Sequence, residues 1–302
     1  MRNTVLAAAG ASRGVQGRHT VPMGNSGLKP SRLVISVCAG PDLEVWKWSS
    51  ALISRRLIAE TFLVIGPPAD LSELKLASAG EWQAEEETNY VKGLPGLDLE
   101  ALRLLAGDRY GWYVQQFAKM GAMFIEKDYD EYLIWDSDTL PTRQLAFATD
   151  AGRVPFYSGS ESHEPYFRQI KNFLGYDKLV SESFIAQCLM MKRSWVDALE
   201  GKLIQTHGAE WGSSLLDSID FSENYGFSEY EMLGTFVSHE FPREYFFNAR
   251  NWTRNGTLYM RHPKNMRLFP FARQVWDFVS FESWQKPWWR RETLRPCTEK
   301  SR

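Results

Sequence analysis

Apolar residues fall along the chain in short solid blocks separated by longer periodic stretches. Leu33-Val34-Ile35-Ser36-Val37-Cys38 and Thr61-Phe62-Leu63-Val64-Ile65 are continuous apolar runs rich in branched residues, the pattern of buried strands. Between them Leu43, Val45, Trp46, Leu52 and Ile53 predict a helix over residues 43–56, with Asp42 placed as its N-cap. The turn Ala39-Gly40-Pro41-Asp42 separates strand from helix, and Gly66-Pro67-Pro68 closes the second strand before a helix near Leu71. This β-α-β-α order predicts parallel strands with right-handed crossovers. Residues 79–108 are less regular: a charged loop, a short Tyr90-Val91 segment and a helix around 99–105. Beyond them the pattern predicts a helix over 111–120 and strands at 131–135, 155–158 and 184–191. A helix opening at Ser228 and a late strand at 257–261 follow. The fold class is therefore α/β, a Rossmann-like mixed and mostly parallel sheet flanked by helices, in one domain over 32–285. Residues 1–31, with their Gly/Ser/Arg/Pro mixture, read as a disordered leader, and 286–302 as a C-terminal tail.

The strand Glu131-Tyr132-Leu133-Ile134-Trp135 runs out into Asp136-Ser137-Asp138. In an open α/β sheet the carboxyl ends of strands face the binding crevice. Side chains at i and i+2 of an extended segment share a side, so Asp136 and Asp138 are placed to share one hard cation, Mg²⁺ or Mn²⁺. The bland alternative is a strand-end turn with the carboxylates bonding local N–H groups. Asp128-Tyr129-Asp130 has the same spacing but lies in a polar run ahead of the strand, so it serves as an internal control.

Other candidates gather around this stretch. Gln116 and Lys119 are three apart on one helical face leading to the acidic pair, with Lys119 available to a phosphate. Ser228 and Glu231 have capping-box spacing, so Glu231 is expected to fold back on the Ser228 N–H. Glu229 is then free to reach the crevice as a base. Glu229 and Glu231 are the catalytic candidates, and His163 and Ser183 the acceptor-side ones.

Composition narrows the partners. With 44% hydrophobic and 24% charged residues the chain is an ordinary globular one, and a net charge of −2 gives no general pull towards nucleic acid or an acidic membrane. Cys38, Cys188 and Cys297 are odd in number and far apart, which fits a reducing, cytoplasmic compartment and no zinc site. No apolar run reaches the roughly 18 residues of a membrane span. The basic, aromatic tail with Trp288-Trp289-Arg290-Arg291 leaves room for a peripheral membrane contact.

Taken in order, Asp42-Leu43-Glu44, the 111–119 helix, Leu133 to Asp138, Ser183-Phe184-Ile185 and Phe227 to Glu231 resemble a bacterial family of GT-A-fold glycosyltransferases. Sugar specificity in that family is mostly unassigned, and the resemblance covers about 32–285. It implies transfer of a sugar from a UDP- or GDP-type donor to a glycan, lipid-linked or small-molecule acceptor. It places Asp42, Gln116, Lys119, Asp136 and Ser137 on the donor and a Mn²⁺ or Mg²⁺ on Asp136 and Asp138. A third metal contact late in the chain is implied, for which His262, then His239, are the candidates. Two other readings stand beside it: a metal-dependent nucleotidyltransferase or phosphohydrolase, and a sugar-binding module without activity. The first would want a Gly-rich or basic loop after the first strand, and Cys38-Ala39-Gly40-Pro41-Asp42 is neither.

Overall fold

The computed structural model describes residues 30–149 and 151–282. The expected leader and tail lie outside the described residues, apart from Pro30 and Ser31. Along the chain the strands are β1 (Arg32–Val37), β2 (Thr61–Gly66), β3 (Trp82–Glu86), β4 (Glu131–Trp135), β5 (Thr139–Pro141), β6 (Val154–Phe156), β7 (Cys188–Lys192), β8 (Tyr245–Phe247) and β9 (Phe278–Ser280). The helices that matter below are α1 (Leu43–Arg56), α2 (Leu71–Ala77), α3 (Glu87–Val91), α4 (Leu99–Ala106), α5 (Tyr110–Ile125), α6 (Glu164–Leu174), α7 (Arg193–His207), α8 (Trp211–Asp217), α9 (Glu229–Glu240) and α10 (Gly256–Met260).

The central sheet has the order β3-β2-β1-β4-β7, with only β7 antiparallel. It is the mixed, mostly parallel sheet flanked by helices that the apolar blocks predict. β1 and β4 are buried along their whole length because helices cover both faces, which is why their sequences do not alternate. α5 packs on this sheet with most of its residues buried, and it approaches α3 closely at Gly121. A Cβ there would lie 1.9 Å from the Tyr90 carbonyl oxygen, so only glycine allows the contact. At the amino edge of the sheet, Arg32 and Glu131 are paired across β1 and β4 at 2.6 Å in a buried contact.

Four elements differ from the sequence reading. β3 and α3 occupy the region that reads as loop, because Trp82-Gln83-Ala84-Glu85-Glu86 is an edge strand with only Ala84 buried and carries almost no apolar signal. The strand expected at 184–191 starts at Cys188, because Gln187 has a left-handed φ of 63° and Phe184 packs instead against Gly234 of α9. The late strand expected at 257–261 is helix α10. Its apparent alternation does not reflect burial: Leu258 and Tyr259 are both exposed while Met260 is buried.

Candidate active site

The chain winds outward from β1 to β2 and β3, then returns to the other side of β1 with β4. The direction of winding therefore switches between β1 and β4, and a crevice forms at their carboxyl ends. The loop leading to Asp42 follows β1, and Asp136-Ser137-Asp138 follows β4. Ser36 of β1 donates to the Trp135 carbonyl at 2.7 Å, which ties the two strand ends together. The control pair lies at the opposite edge: Asp130 accepts from the Ser31 N–H at 2.9 Å and from its hydroxyl at 3.0 Å.

Asp136-Ser137-Asp138 is a turn rather than extended strand, with the Thr139 N–H donating to the Asp136 carbonyl at 3.1 Å. The i, i+2 argument for a shared cation therefore does not apply, and the two carboxylates have different surroundings. Asp136 is anchored. Its Oδ1 accepts from Lys119 Nζ at 2.5 Å and from the Tyr230 hydroxyl at 2.8 Å. With its amide nitrogen towards Asp136, the orientation in which both ends find partners, Gln187 donates to Oδ2 at 3.0 Å and accepts from Arg254 Nη2 at 2.9 Å. The backbone of Gln187 also receives the Asp136 N–H at 2.9 Å. A non-glycine residue at positive φ is strained by about 1–3 kcal/mol, and here the residue is held by bonds to Asp136 from both its backbone and its side chain.

Lys119 is the centre of the network. It reaches Glu229 at 2.8 Å as well as Asp136, with side-chain exposures of 9% for Lys119 and 3% for Glu229. Burial works against its charge, but Asp136 and Glu229 outweigh burial and hold the ammonium above the ordinary lysine value. Glu229 is pushed up by burial, pulled down by Lys119 and pushed up again by Asp136, ending above the usual glutamate range. The Lys119 ammonium also lies 4.8 Å from the centre of the Tyr230 ring. Gln116 completes the arrangement by accepting the Glu229 N–H at 3.1 Å, so it closes the first turn of α9. The Lys119 ammonium, read from the sequence as available to a phosphate, is engaged by two carboxylates in this structure.

Asp138 is the crowded carboxylate. Burial, and then the charges of Asp42, Asp136 and Glu282, push it well above the ordinary aspartate range. Thr139 donates to its Oδ1 at 3.1 Å. Ser137 is buried beside it, its carbonyl accepting from Ser49 of α1. Asp42 lies in a 3₁₀ turn and makes no capping bond to α1, so its expected N-cap role is not realised. Among the described residues no three His, Cys, Asp or Glu side chains are grouped closely enough to cage a metal ion.

The remaining candidates are placed as follows. Glu231 does not fold back on Ser228. The Ser228 hydroxyl does accept the Glu231 N–H at 3.3 Å, but the Glu231 carboxylate faces inward. It accepts from Ser183 Oγ at 2.6 Å, the Phe184 N–H at 3.0 Å and Lys178 Nζ at 2.7 Å. Glu231 and Ser183 are therefore one buried link. Glu229 is likewise not free. His262 Nε2 lies 3.3 Å from Glu44, and its Nδ1 accepts the Lys264 N–H at 3.0 Å. His239 contacts the Asp177 carbonyl at 2.7 Å and stacks on Tyr176. His163 contacts the Tyr225 carbonyl at 2.8 Å. None of these three histidines is brought to Asp136.

Tyr230, Gln187, Arg254 and Glu282 are the site residues that pattern reading missed. Arg254 pairs with Glu161, lies 3.0 Å from Glu282 through Nε, and lines a cavity of about 350 Å³ with Ser158, Glu161, Trp252 and Asn255. Gln187 joins this cavity wall to Asp136. Tyr230 lies on α9 inside the Phe227–Glu231 segment, where its role was not legible, whereas Gln187, Arg254 and Glu282 belong to no motif and reach the site from loops distant in the chain.

The DUF6492 family, described as a family of unknown function, matches residues 51–288. The chain belongs to this family. The match takes in α5, the β4 turn and α9, so the whole Lys119–Asp136–Glu229 network of this DUF6492 member lies within it. No curated protein matches the sequence. Among solved structures, mouse xyloside xylosyltransferase 1 in its apo form is 10% identical, with 83% of this chain and 98% of that chain covered and a TM-score of 0.43. The apo WbbM bifunctional glycosyltransferase is 11% identical (87% and 47% covered, TM-score 0.44). The galactosyltransferase LgtC, in complex with donor and acceptor sugar analogues, is 13% identical (86% and 90% covered, TM-score 0.43). At these identities and scores the likenesses assign no activity to the DUF6492 protein.

A second titrating group lies at the carboxyl edge of β3 in the DUF6492 protein. Burial, then the charges of Glu86 and Asp70, push Glu87 from 4.5 up to about 7 against the pull of Arg103. A carboxyl raised by folding contributes stability that is fully present below its unfolded value and lost as pH rises through its folded value. Glu87→Gln should therefore match the wild type near pH 4.5 and exceed it above pH 7, by at most about 3 kcal/mol. Urea unfolding of both proteins across that window checks the sign; a difference that does not change with pH contradicts it.

Proposed function

We propose that this protein moves a sugar from a UDP- or GDP-type nucleotide-diphosphate donor to a glycan, lipid-linked or small-molecule acceptor, with a divalent cation at Asp138. One observation carries the reading. An acidic turn sits at the winding switch of the sheet, and Asp138 in it is crowded by Asp42, Asp136 and Glu282 while, among the described residues, it makes no ion pair of the kind that Lys119 makes with Asp136. Mg²⁺ and Mn²⁺ suit such oxygen donors, and Mg²⁺ needs only one or two carboxylates when water and substrate phosphates complete its shell. The absence of a three-residue cage among the described residues is compatible with that mode. When bound, the ion supplies charge neutralisation for a departing diphosphate.

The chain's own part is positioning. Lys119, Tyr230 and Gln187 fix Asp136 and with it the turn that aims Asp138. The cavity beside Arg254 offers an aromatic wall at Trp252 and polar groups at Ser158, Glu161 and Asn255, a lining suited to an acceptor sugar. The nucleotidyltransferase reading is less well supported, because a phosphate loop after β1 needs unengaged backbone N–H groups. The Gly40 N–H instead donates to Asp70 Oδ2 at 2.8 Å.

Asp138→Asn tests the assignment in two directions at once. Removing a carboxyl that its neighbours disfavour should raise the melting temperature of the metal-free protein at neutral pH. The same change should abolish Mn²⁺-dependent binding of UDP or GDP, measured by calorimetry. Unchanged Mn²⁺-dependent binding in the variant would remove Asp138 from the site.

A further inference from the structure

Between Glu244 and Asp277 the chain has no acidic residue but carries Arg250, Arg254, Arg261, Lys264, Arg267 and Arg273. The last four lie in a stretch that folds as α10, a 3₁₀ turn over Pro263–Leu268 and a short helix at Ala272–Val275. The same stretch exposes large apolar side chains in close succession: Leu258, Tyr259, Leu268, Phe271 and Val275, from 42% to 68% accessible. Such side chains are normally scattered singly on a protein surface, and a cluster marks an interaction site. Against α1 this stretch encloses a cavity of about 460 Å³, with Trp48, Leu52, Met266 and Phe269 among its walls and Arg56, Lys264, Arg267 and Arg273 around them. No acidic residue lines it. Burial, then the charges of Arg273 and Arg55, pull the Arg56 guanidinium below its ordinary value, as expected where cations face one another.

Charge decides what such a face can meet. Residues 1–29 carry Arg2, Arg13, Arg18 and Lys29 and no acid. Residues 283–302 carry Lys286, Arg290, Arg291, Arg295, Lys300 and Arg302 against Glu292 and Glu299. Both segments carry a net charge of the same sign as the groove, so charge complementarity favours neither as its cover. Interleaved basic and aromatic or aliphatic side chains suit a bilayer, where the apolar groups enter the headgroup boundary and the cations meet lipid phosphates. We propose that this face, from α10 to Val275 together with Trp48 of α1, docks on a membrane surface rich in anionic lipid. The inference goes beyond the proposed reaction and does not depend on it. It places the candidate site near the bilayer, because Trp48 is six residues along from Asp42, a rise of about 9 Å.

The test is co-sedimentation of the full chain with vesicles of phosphatidylcholine alone or mixed with phosphatidylglycerol, at low salt. The expected result is binding to the mixed vesicles only. Arg267→Glu with Arg273→Glu should lower partitioning about tenfold or more, and Leu268→Ser with Phe271→Ser should lower it at unchanged charge. Both double variants should melt like the wild type. Displacement from vesicles by inorganic phosphate beyond that caused by chloride at equal ionic strength would identify a free-anion site and overturn the proposal. Equal binding to both vesicle types, full binding by either double variant, or sedimentation without vesicles would overturn it as well.

Discussion

Lys119→Met is expected to destabilise the protein by about 3–5 kcal/mol, the usual cost of removing one partner from a buried ion pair. The cause is electrostatic rather than steric. Methionine fills most of the lysine stem's volume, but Asp136 and Glu229, held 2.5 and 2.8 Å from Nζ, would then face each other uncompensated. Protonation relieves such a pair, so the loss should shrink as pH falls. Pairing the change with Glu229→Leu should restore much of the stability, because the remaining Asp136 keeps Tyr230 and Gln187 as donors. Urea unfolding of the single and double variants measures both effects. A single-variant loss under about 1 kcal/mol would mean that Lys119 is effectively solvated, as surface ion pairs are.

Glu231→Ala should cost a similar amount, about 3–5 kcal/mol, for a different reason. Glu231 is the shared acceptor of Ser183, the Phe184 N–H and Lys178, and its removal strands three donors in the interior at once. Glutamine is not a neutral replacement, although it would be in a capping box. Its one oxygen can serve either the Ser183–Phe184 side or Lys178, and its NH₂ must then face a donor. Glu231→Gln should therefore fall between alanine and wild type. Because Glu231 does not touch Asp136, the folded fraction of either variant should bind nucleotide like the wild type. Loss of binding at wild-type stability would instead put Glu231 in the site.

The parts of the fold that were legible in the sequence are those buried on two faces. β1, β2 and β4 show as solid apolar blocks, and α1 as a periodic one, because burial alone dictates their composition. β3 did not show, since an edge strand with one buried residue has little apolar demand. The position of the acidic pair was legible from the end of β4, yet the turn that separates the roles of Asp136 and Asp138 was not. Helical spacing put Gln116 and Lys119 on one face correctly, but their partners are fixed by tertiary structure. Glu229 is 110 residues from Lys119 in sequence, and nothing local distinguishes it from a donor phosphate. The histidines show the converse. His262 has the expected late position in the chain, but its ring nitrogens are engaged by Glu44 and the Lys264 N–H.

Metal-dependent binding of a nucleotide diphosphate at the turn after β4 is what the proposed reaction requires first. A thermal-shift panel of UDP, GDP, CMP and dTDP species, each with Mn²⁺ and with chelator, tests it most directly. UDP or GDP species are expected to raise the melting temperature with Mn²⁺ and to leave it unchanged with chelator. An equal shift in chelator, or none with either nucleotide in Mn²⁺, would contradict it.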